Sequence, residues 1–169
     1  MTAARLFHTV RHLKPVQVYR RVLGRLARPR ADTSDAPPVR LMTGAWAEPA
    51  PRPASLLGRW RVRFLNEEGE IARQQQWNDP AKAKLWLYNL HYFDDLATPA
   101  DLARRALQRE LVERWIDENP PTVGNGWEPY PVSLRVVNWI KWALAGETMP
   151  AHWRHSLAIQ TRWLEQHIE

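Results

Sequence analysis

Apolar residues recur three and four positions apart over most of the chain beyond residue 80, which is the spacing of one face of an α-helix. The first run predicts a helix over 81–96, with an apolar stripe made of Leu85, Tyr88, Tyr92 and Leu96. A second helix is predicted from Thr98 as N-cap and Pro99 at the first helical position to about Asn119. Its predicted buried face consists of Ala103, Leu107, Leu111 and Trp115.

The segment 124–142 has two contrasting faces. Gly124 and Gly126 permit positive φ and predict a tight loop, after which Pro131 suits the first position of a helix. One stripe of that helix is aliphatic and is predicted to face the core: Leu134, Val137, Ile140 and Leu144. The neighbouring stripe would suit a polar, ring-shaped ligand: Arg135, Asn138, Trp139 and Trp142. The residues alone favour a structural role for this second stripe over ligand binding, because Trp is usually buried and an Arg–Asn pair between helices often satisfies loop carbonyls.

A last helix is predicted from Pro150, with a stripe made of Trp153, Leu157, Leu164 and Ile168. Helices joined by loops of a few residues favour an array of α/α hairpins. Ahead of the helices, Trp60, Val62 and Phe64 alternate with Arg, which predicts a β-hairpin over 59–77 with Gly69 in the connecting turn. The predicted class is therefore mainly α with a small β-hairpin.

Charge divides the chain into segments. Residues 1–30 contain eight of the 24 basic residues and no acid, which leaves 16 basic against 18 acidic residues and a net charge of −2 over 31–169. Residues 3–28 predict a helix interrupted at Lys14-Pro15, so 1–30 is expected to be a basic helical arm. The Pro-rich stretch 31–58 reads as an extended linker, and 59–169 as the helical domain. The basic face of the arm suits nucleic acid, an anionic membrane surface or an acidic glycan, or is simply solvated.

Composition excludes several classes of function. The chain of 169 residues has no Cys, so disulfides, thiolate chemistry and Cys-based zinc sites do not arise, and we predict neither a metal nor a cofactor. No apolar run approaches the roughly 20 residues that span a membrane, and no apolar signal-peptide core is seen near the N-terminus. Ten Trp suit either a sugar-binding surface or a large helical core.

Two motifs resemble a known family. They are Leu-Trp-Leu-Tyr-Asn-Leu-His-Tyr-Phe-Asp-Asp-Leu at 85–96 and Gly-Asn-Gly-Trp-Glu-Pro-Tyr-Pro-Val-Ser-Leu-Arg-Val-Val-Asn-Trp-Ile-Lys-Trp at 124–142. Together with 11–21, they are similar to the N-terminal region of heparinase II/III-like polysaccharide lyases, in particular bacterial members found with exopolysaccharide genes. The resemblance implies part of an α/α toroid and cleavage of uronate-containing polysaccharides, such as alginate, by β-elimination. It also places the family's catalytic Asn-His pair and Tyr beyond Glu169, so no catalytic residue is expected in 1–169.

Within the chain, the resemblance leaves sugar positioning as the expected role. Arg135 would pair with a uronate carboxylate and Asn138 would donate to a sugar oxygen. Trp127, Trp139 and Trp142 are candidate sugar platforms, and Glu128 and His91 are candidate acceptors for hydroxyl groups. His91 itself is expected to be an exposed histidine between two stripes of its helix.

The alternative is a non-enzymatic module that binds an acidic polymer or a membrane surface through residues 1–30. Nucleic acid is disfavoured, because 31–169 is slightly acidic and no nucleic-acid-binding motif is present. The family implies the cell envelope or periplasm, whereas the absence of a visible signal peptide leaves the cytoplasm open. The sequence does not determine the oligomeric state.

Overall fold

Four α-helices provide most of the regular structure in the computed structural model, which describes residues 30–41, 43–47 and 50–168. They are α1 (Lys84–Tyr92), α2 (Leu102–Glu118), α3 (Pro129–Leu144) and α4 (Ala151–His167). They follow a two-stranded antiparallel sheet made of β1 (Arg61–Phe64) and β2 (Glu67–Glu70). Residues 31–168 form one compact unit, in which α3 packs against both α1 and α4. The mainly α class with a small β-hairpin is confirmed, whereas the basic arm lies outside the described residues.

The β-hairpin turns earlier than predicted. Leu65 and Asn66 occupy its tip with φ of 54° and 62°, the left-handed values that a two-residue hairpin loop requires. Gly69 lies within β2 opposite Val62, so its placement in the turn was wrong. A Cβ on Gly69 would lie 2.4 Å from the indole of Trp86, so the glycine provides room for a buried ring.

Helix α1 is shorter than the predicted helix over 81–96. It ends at Phe93, which adopts φ 62° and ψ 34°, and a 3₁₀ turn over Asp94–Ala97 follows. Its buried residues are Trp86, Leu87, Leu90, His91 and Tyr92. Leu85 is 55% exposed, so the predicted stripe was displaced from the true buried face.

Helix α2 starts three residues after the predicted cap. Asp101 is the N-cap and its carboxylate accepts from the Arg104 N–H at 2.8 Å. The N–H of Thr98 instead donates to the Asp95 carbonyl at 3.0 Å and closes the preceding 3₁₀ turn. The buried residues of α2 are Gln108, Leu111, Val112 and Trp115, whereas Ala103 is exposed.

In α3 the two predicted faces are exchanged. The helix begins at Pro129 rather than Pro131, and its buried residues are Pro131, Val132, Arg135, Val136, Trp139 and Trp142. Val137 and Ile140 are 45% and 40% exposed, so the prediction that their stripe faces the core was wrong. Large aromatic side chains remove more apolar surface from water than Val or Ile, and this favours burial of the indole face.

Eight of the ten Trp are buried and form the centre of the core together with aliphatic side chains. They are Trp77, Trp86, Trp115, Trp127, Trp139, Trp142, Trp153 and Trp163. The described residues of 31–55 contain no helix or strand and are mostly exposed. The buried carboxylate of Asp95 fixes the end of this segment by accepting from the N–H groups of Ser55 and Leu56, both at 2.8 Å. None of the described helices has the length and apolar character needed to cross a membrane.

Candidate functional site

Arg135, the predicted carboxylate ligand, is 0% exposed. Its Nε donates to Oε1 of Gln160 at 2.8 Å, and its Nη1 donates to the carbonyl of His91 at 3.3 Å. The guanidinium carbon lies 3.8 Å from the centre of the Trp115 ring, close enough for a cation–π contact. Among the described residues no carboxylate lies within ion-pair distance, and burial holds the pKa of Arg135 well below its usual value. In this conformation the guanidinium supports the core and is not presented to a polymer.

His91 is also fully buried, so its expected exposure was wrong. Its Nε2 lies 3.0 Å from the carbonyl of Trp77, and its Nδ1 lies 2.9 Å from the indole nitrogen of Trp115. A carbonyl only accepts and an indole N–H only donates, so His91 is neutral with its proton on Nε2. Burial, followed by the positive charge of Arg135, lowers the pKa of His91 to about 3. A Cβ at Gly126 would lie 2.7 Å from Nδ1, so the loop before α3 needs glycine at this point.

The three candidate sugar platforms belong to the core as well. Trp127, Trp139 and Trp142 are each buried, and the indole N–H of Trp127 donates to the carbonyl of Asn119 at 3.1 Å. The indole nitrogens of Trp139 and Trp142 have no acceptor among the described residues. Stacking on a sugar requires an exposed ring face, so these indoles are not available as platforms in this conformation.

Tyr88, Glu128 and Tyr130 of the two motifs are partly or largely exposed, and together with Lys84 and the buried Tyr92 they form a cluster, here called the tyrosine face. The ring of Tyr130 is 6.2 Å from that of Tyr88 and 5.7 Å from that of Tyr92, centre to centre. Tyr130 is 58% exposed, and Pro129 and Pro131 hold it in the first turn of α3. Helix α1 supplies the other two rings at i and i+4, which lie on one helical face. The tyrosine face therefore joins α1 to the start of α3 and presents Tyr130 and part of Tyr88 to solvent, with the buried Tyr92 beside them.

Glu128 links the polar groups of the tyrosine face. Its Oε2 accepts from the hydroxyl of Tyr88 and lies 2.9 Å from Nζ of Lys84. Hydrogen bonding to Glu128 raises the pKa of Lys84. Burial and then the Glu128 hydrogen bond raise the pKa of Tyr88, and burial and then Tyr130 raise that of Tyr92 to about 12. The site therefore offers neutral phenols, one carboxylate and one ammonium at neutral pH.

Asn138 supports the tyrosine face from α3. Its Nδ2 donates to the carbonyl of Tyr92 and to Oδ1 of Asp94, both at 2.8 Å. Both protons of the amide are thus directed to α1 and the turn after it, and they fix the position of Tyr92. Asn138 also lines a cavity of about 370 Å³ with Lys141 and Trp142.

The predicted ligand residues thus separate into two groups. Glu128 lies in the tyrosine face and Asn138 lies beside it, whereas Arg135, His91 and the three indoles lie behind it in the core. Sequence reasoning missed the site role of Tyr88, Tyr92 and Tyr130. The available signal was Tyr130 between two prolines, because Pro suits the first positions of a helix and so places Tyr130 in its first turn.

Among the described residues, no group of three or more His, Asp or Glu side chains is arranged to hold a metal ion. The comparisons with known proteins found no matching family model, no matching curated protein and no matching solved structure.

Proposed function

We propose that this chain is the sugar-binding N-terminal part of a heparinase II/III-like polysaccharide lyase, which cleaves uronate-containing polysaccharides by β-elimination. The observation that carries the proposal is the tyrosine face, because the two motifs that resemble the family meet there at the surface. Tyr88 and Tyr92 come from the motif at 85–96, and Glu128 and Tyr130 come from the motif at 124–142.

The chemistry of the tyrosine face suits an acidic sugar. Phenol rings pack on the apolar C–H surface of a sugar ring while their hydroxyls exchange hydrogen bonds with sugar oxygens. Glu128 accepts from sugar hydroxyls, and the exposed ammonium of Lys84 attracts a uronate carboxylate. This set replaces the buried Arg135 and indoles as the proposed contact surface for the polymer.

Cleavage requires more than this surface. β-Elimination needs a base that removes the C5 proton, a neutralised carboxylate and an acid for the leaving oxygen. A phenol with a pKa of about 12, such as Tyr92, is a poor base at neutral pH. The resemblance assigns base and acid to residues without a match in 1–169, so we expect this polypeptide to bind acidic oligosaccharides without cleaving them.

The test is titration calorimetry with oligosaccharides of alginate, heparan and hyaluronan. Tyr130→Ala should weaken binding about fivefold, since one aromatic contact is worth about 1 kcal/mol beyond its area. Leu102→Ala is the matched control, because Leu102 is 90% exposed and belongs to α2. Equal affinity of Tyr130→Ala and the unmodified protein would rule out the tyrosine face.

The unsaturated product of elimination absorbs in the ultraviolet, and this gives a direct test for cleavage. We expect no rise in absorbance when the purified polypeptide is incubated with each polymer. A sustained rise would show that residues 1–169 contain a complete catalytic set.

A non-enzymatic role for residues 1–30 is the second candidate. Eight basic residues without an acid favour binding of that segment to an acidic polymer or an anionic membrane surface. Such binding would be independent of the tyrosine face, so Tyr130→Ala would leave it unchanged.

A further inference from the structure

A groove lies on the outer side of α3 and α4, away from the proposed sugar contacts. Residues 36–40 form one wall and the two helices form the other, enclosing about 730 Å³. We call it the aliphatic groove and define it by Pro38, Val39, Ile140, Leu144, Leu157 and Ala158. None of the described residues that line it is aromatic, although the chain has ten Trp and four Tyr. A sugar site needs aromatic platforms, so this groove suits a ligand with an alkyl chain.

The residues just before the wall made by residues 36–40 are attached to α4. The guanidinium of Arg162 donates to the carbonyls of Ser34 and Asp35, both at 2.7 Å, and lies 3.6 Å from the carboxylate of Asp32. These contacts hold the segment beside the helix while Ile140 remains 40% exposed. Side chain–backbone contacts thus anchor the segment that leads into the groove wall, and apolar surface of α3 stays open.

The rim of the groove is positively charged. Arg40 and Arg154 line it, and within the described residues neither has a carboxylate at ion-pair distance. Arg154 makes one hydrogen bond, to the carbonyl of Met149 at 3.2 Å. Among the described lining residues the one acid is Glu147, whose carboxylate already pairs with Arg105 at 3.3 Å and Arg109 at 2.6 Å. An anionic head group therefore complements the rim.

We propose that the aliphatic groove binds a free anionic amphiphile with a single alkyl chain, such as a fatty acid. The alkyl chain of the ligand lies between residues 36–40 and the two helices, and the ligand carboxylate pairs with Arg40 and Arg154. The volume is within the range of about 300–1,000 Å³ that is usual for small-molecule sites. A protein partner normally needs an interface above about 1,000 Å². Pro37 and Pro38 also lack the N–H groups that would pair with an extended peptide.

The test is calorimetry with decanoate below its micelle concentration, at constant ionic strength. We expect one saturable site that binds decanoate at least tenfold more tightly than octanoate, because each buried CH₂ contributes about three- to fourfold in affinity. Decyltrimethylammonium, which has the same chain length and the opposite charge, should bind more weakly than decanoate.

Two kinds of variant test the contacts of the ligand's alkyl chain and those of its head group separately. Arg154→Gln should weaken decanoate binding about tenfold, Arg154→Lys should retain most of it, and Arg61→Gln on β1 should have no effect. Ala158→Leu should block the groove, with circular dichroism used to verify folding. Arg154 is exposed, so its replacement gives a test that does not depend on the core.

Several outcomes would overturn the proposal. They are an affinity that does not depend on the length of the alkyl chain, equal affinities for decanoate and decyltrimethylammonium, and an Arg154→Gln variant that binds decanoate as tightly as the unmodified protein. Binding to phosphatidylglycerol vesicles but not to monomeric decanoate would assign the groove to a membrane surface instead. A dimer that Ala158→Leu dissociates, with no decanoate binding, would assign it to a second copy of the chain.

Discussion

Replacement of Arg135 distinguishes a core arginine from a ligand-binding arginine. A ligand-binding role predicts that Arg135→Ala abolishes sugar binding and leaves stability unchanged. The structure predicts the reverse, because the guanidinium is fully buried and contacts Gln160, His91 and Trp115. The variant should therefore lower the free energy of unfolding, and any loss of sugar binding should be indirect, through the folded fraction and the position of the tyrosine face.

The magnitude follows from what the side chain contacts. Two hydrogen bonds contribute about 1 kcal/mol each, and a desolvated cation–π contact contributes about 2 kcal/mol. Loss of a long buried side chain adds a cavity, which costs about 2–5 kcal/mol. Against this, removal of a buried charge without a carboxylate partner recovers several kcal/mol of desolvation. We expect Arg135→Ala to destabilise the protein by roughly 3–5 kcal/mol.

Arg135→Met is the matched comparison. Methionine keeps most of the packing volume and also removes the buried charge, while Oε1 of Gln160 loses the Arg135 donor. We expect a loss of about 1–2 kcal/mol for this variant. Urea denaturation followed by Trp fluorescence and circular dichroism measures both values. The reasoning would be refuted if Arg135→Ala unfolded within about 0.5 kcal/mol of the unmodified protein and had nevertheless lost oligosaccharide binding.

Three further predictions concern pH, packing and salt. The pKa of His91 falls from 6.5 to about 3 on folding, so below pH 6.5 the unfolded chain binds a proton that the folded protein excludes. Stability should thus decrease as pH falls from 6.5 to 3, by up to about 1.4 kcal/mol per unit, and a denaturation series should show a shallower decrease for His91→Gln. Gly69→Ala should destabilise the protein by about 1–3 kcal/mol, because the added Cβ would collide with Trp86. Gly58→Ala is the control for the same denaturation experiment and should have little effect, because nothing lies within 4 Å of its Cβ. If the arm binds anionic glycans or lipids, affinity should fall steeply with salt and on joint neutralisation of Arg20, Arg21, Arg25 and Arg28; salt-insensitive binding would contradict this.

The sequence predicts the order of the elements better than their faces. Helical spacing of apolar residues located α1 to α4, since that spacing is local information. It did not identify the buried face of α3, because Val137 and Ile140 look like core residues when aliphatic side chains alone are counted. The indoles of Trp139 and Trp142 have more apolar surface to bury, and their burial decides the orientation of the helix.

Of all features of the structure, the environments of the polar residues were the hardest to predict from the sequence. His91 is buried because Trp77, Trp115 and Gly126 enclose it, and these residues lie 14, 24 and 35 positions away in the chain. No local pattern reports such distant partners. The prediction of the N-cap of α2 failed for another reason. Thr98 and Asp101 are both residue types that cap helices well, but the N–H of Thr98 closes the 3₁₀ turn after α1, and Asp101 caps α2.

The buried and exposed residues of the two motifs depend on each other. Arg135 donates to the carbonyl of His91, and Asn138 donates to the carbonyl of Tyr92, so two consecutive turns of α3 hold the last two residues of α1. Because Tyr130 lies on the first turn of the same helix, these contacts fix its ring against that of Tyr92. Residues that resemble a ligand-binding stripe in the sequence therefore position the tyrosines from behind. Under the proposed function, their conservative replacement would loosen the tyrosine face without removing any group that contacts the sugar.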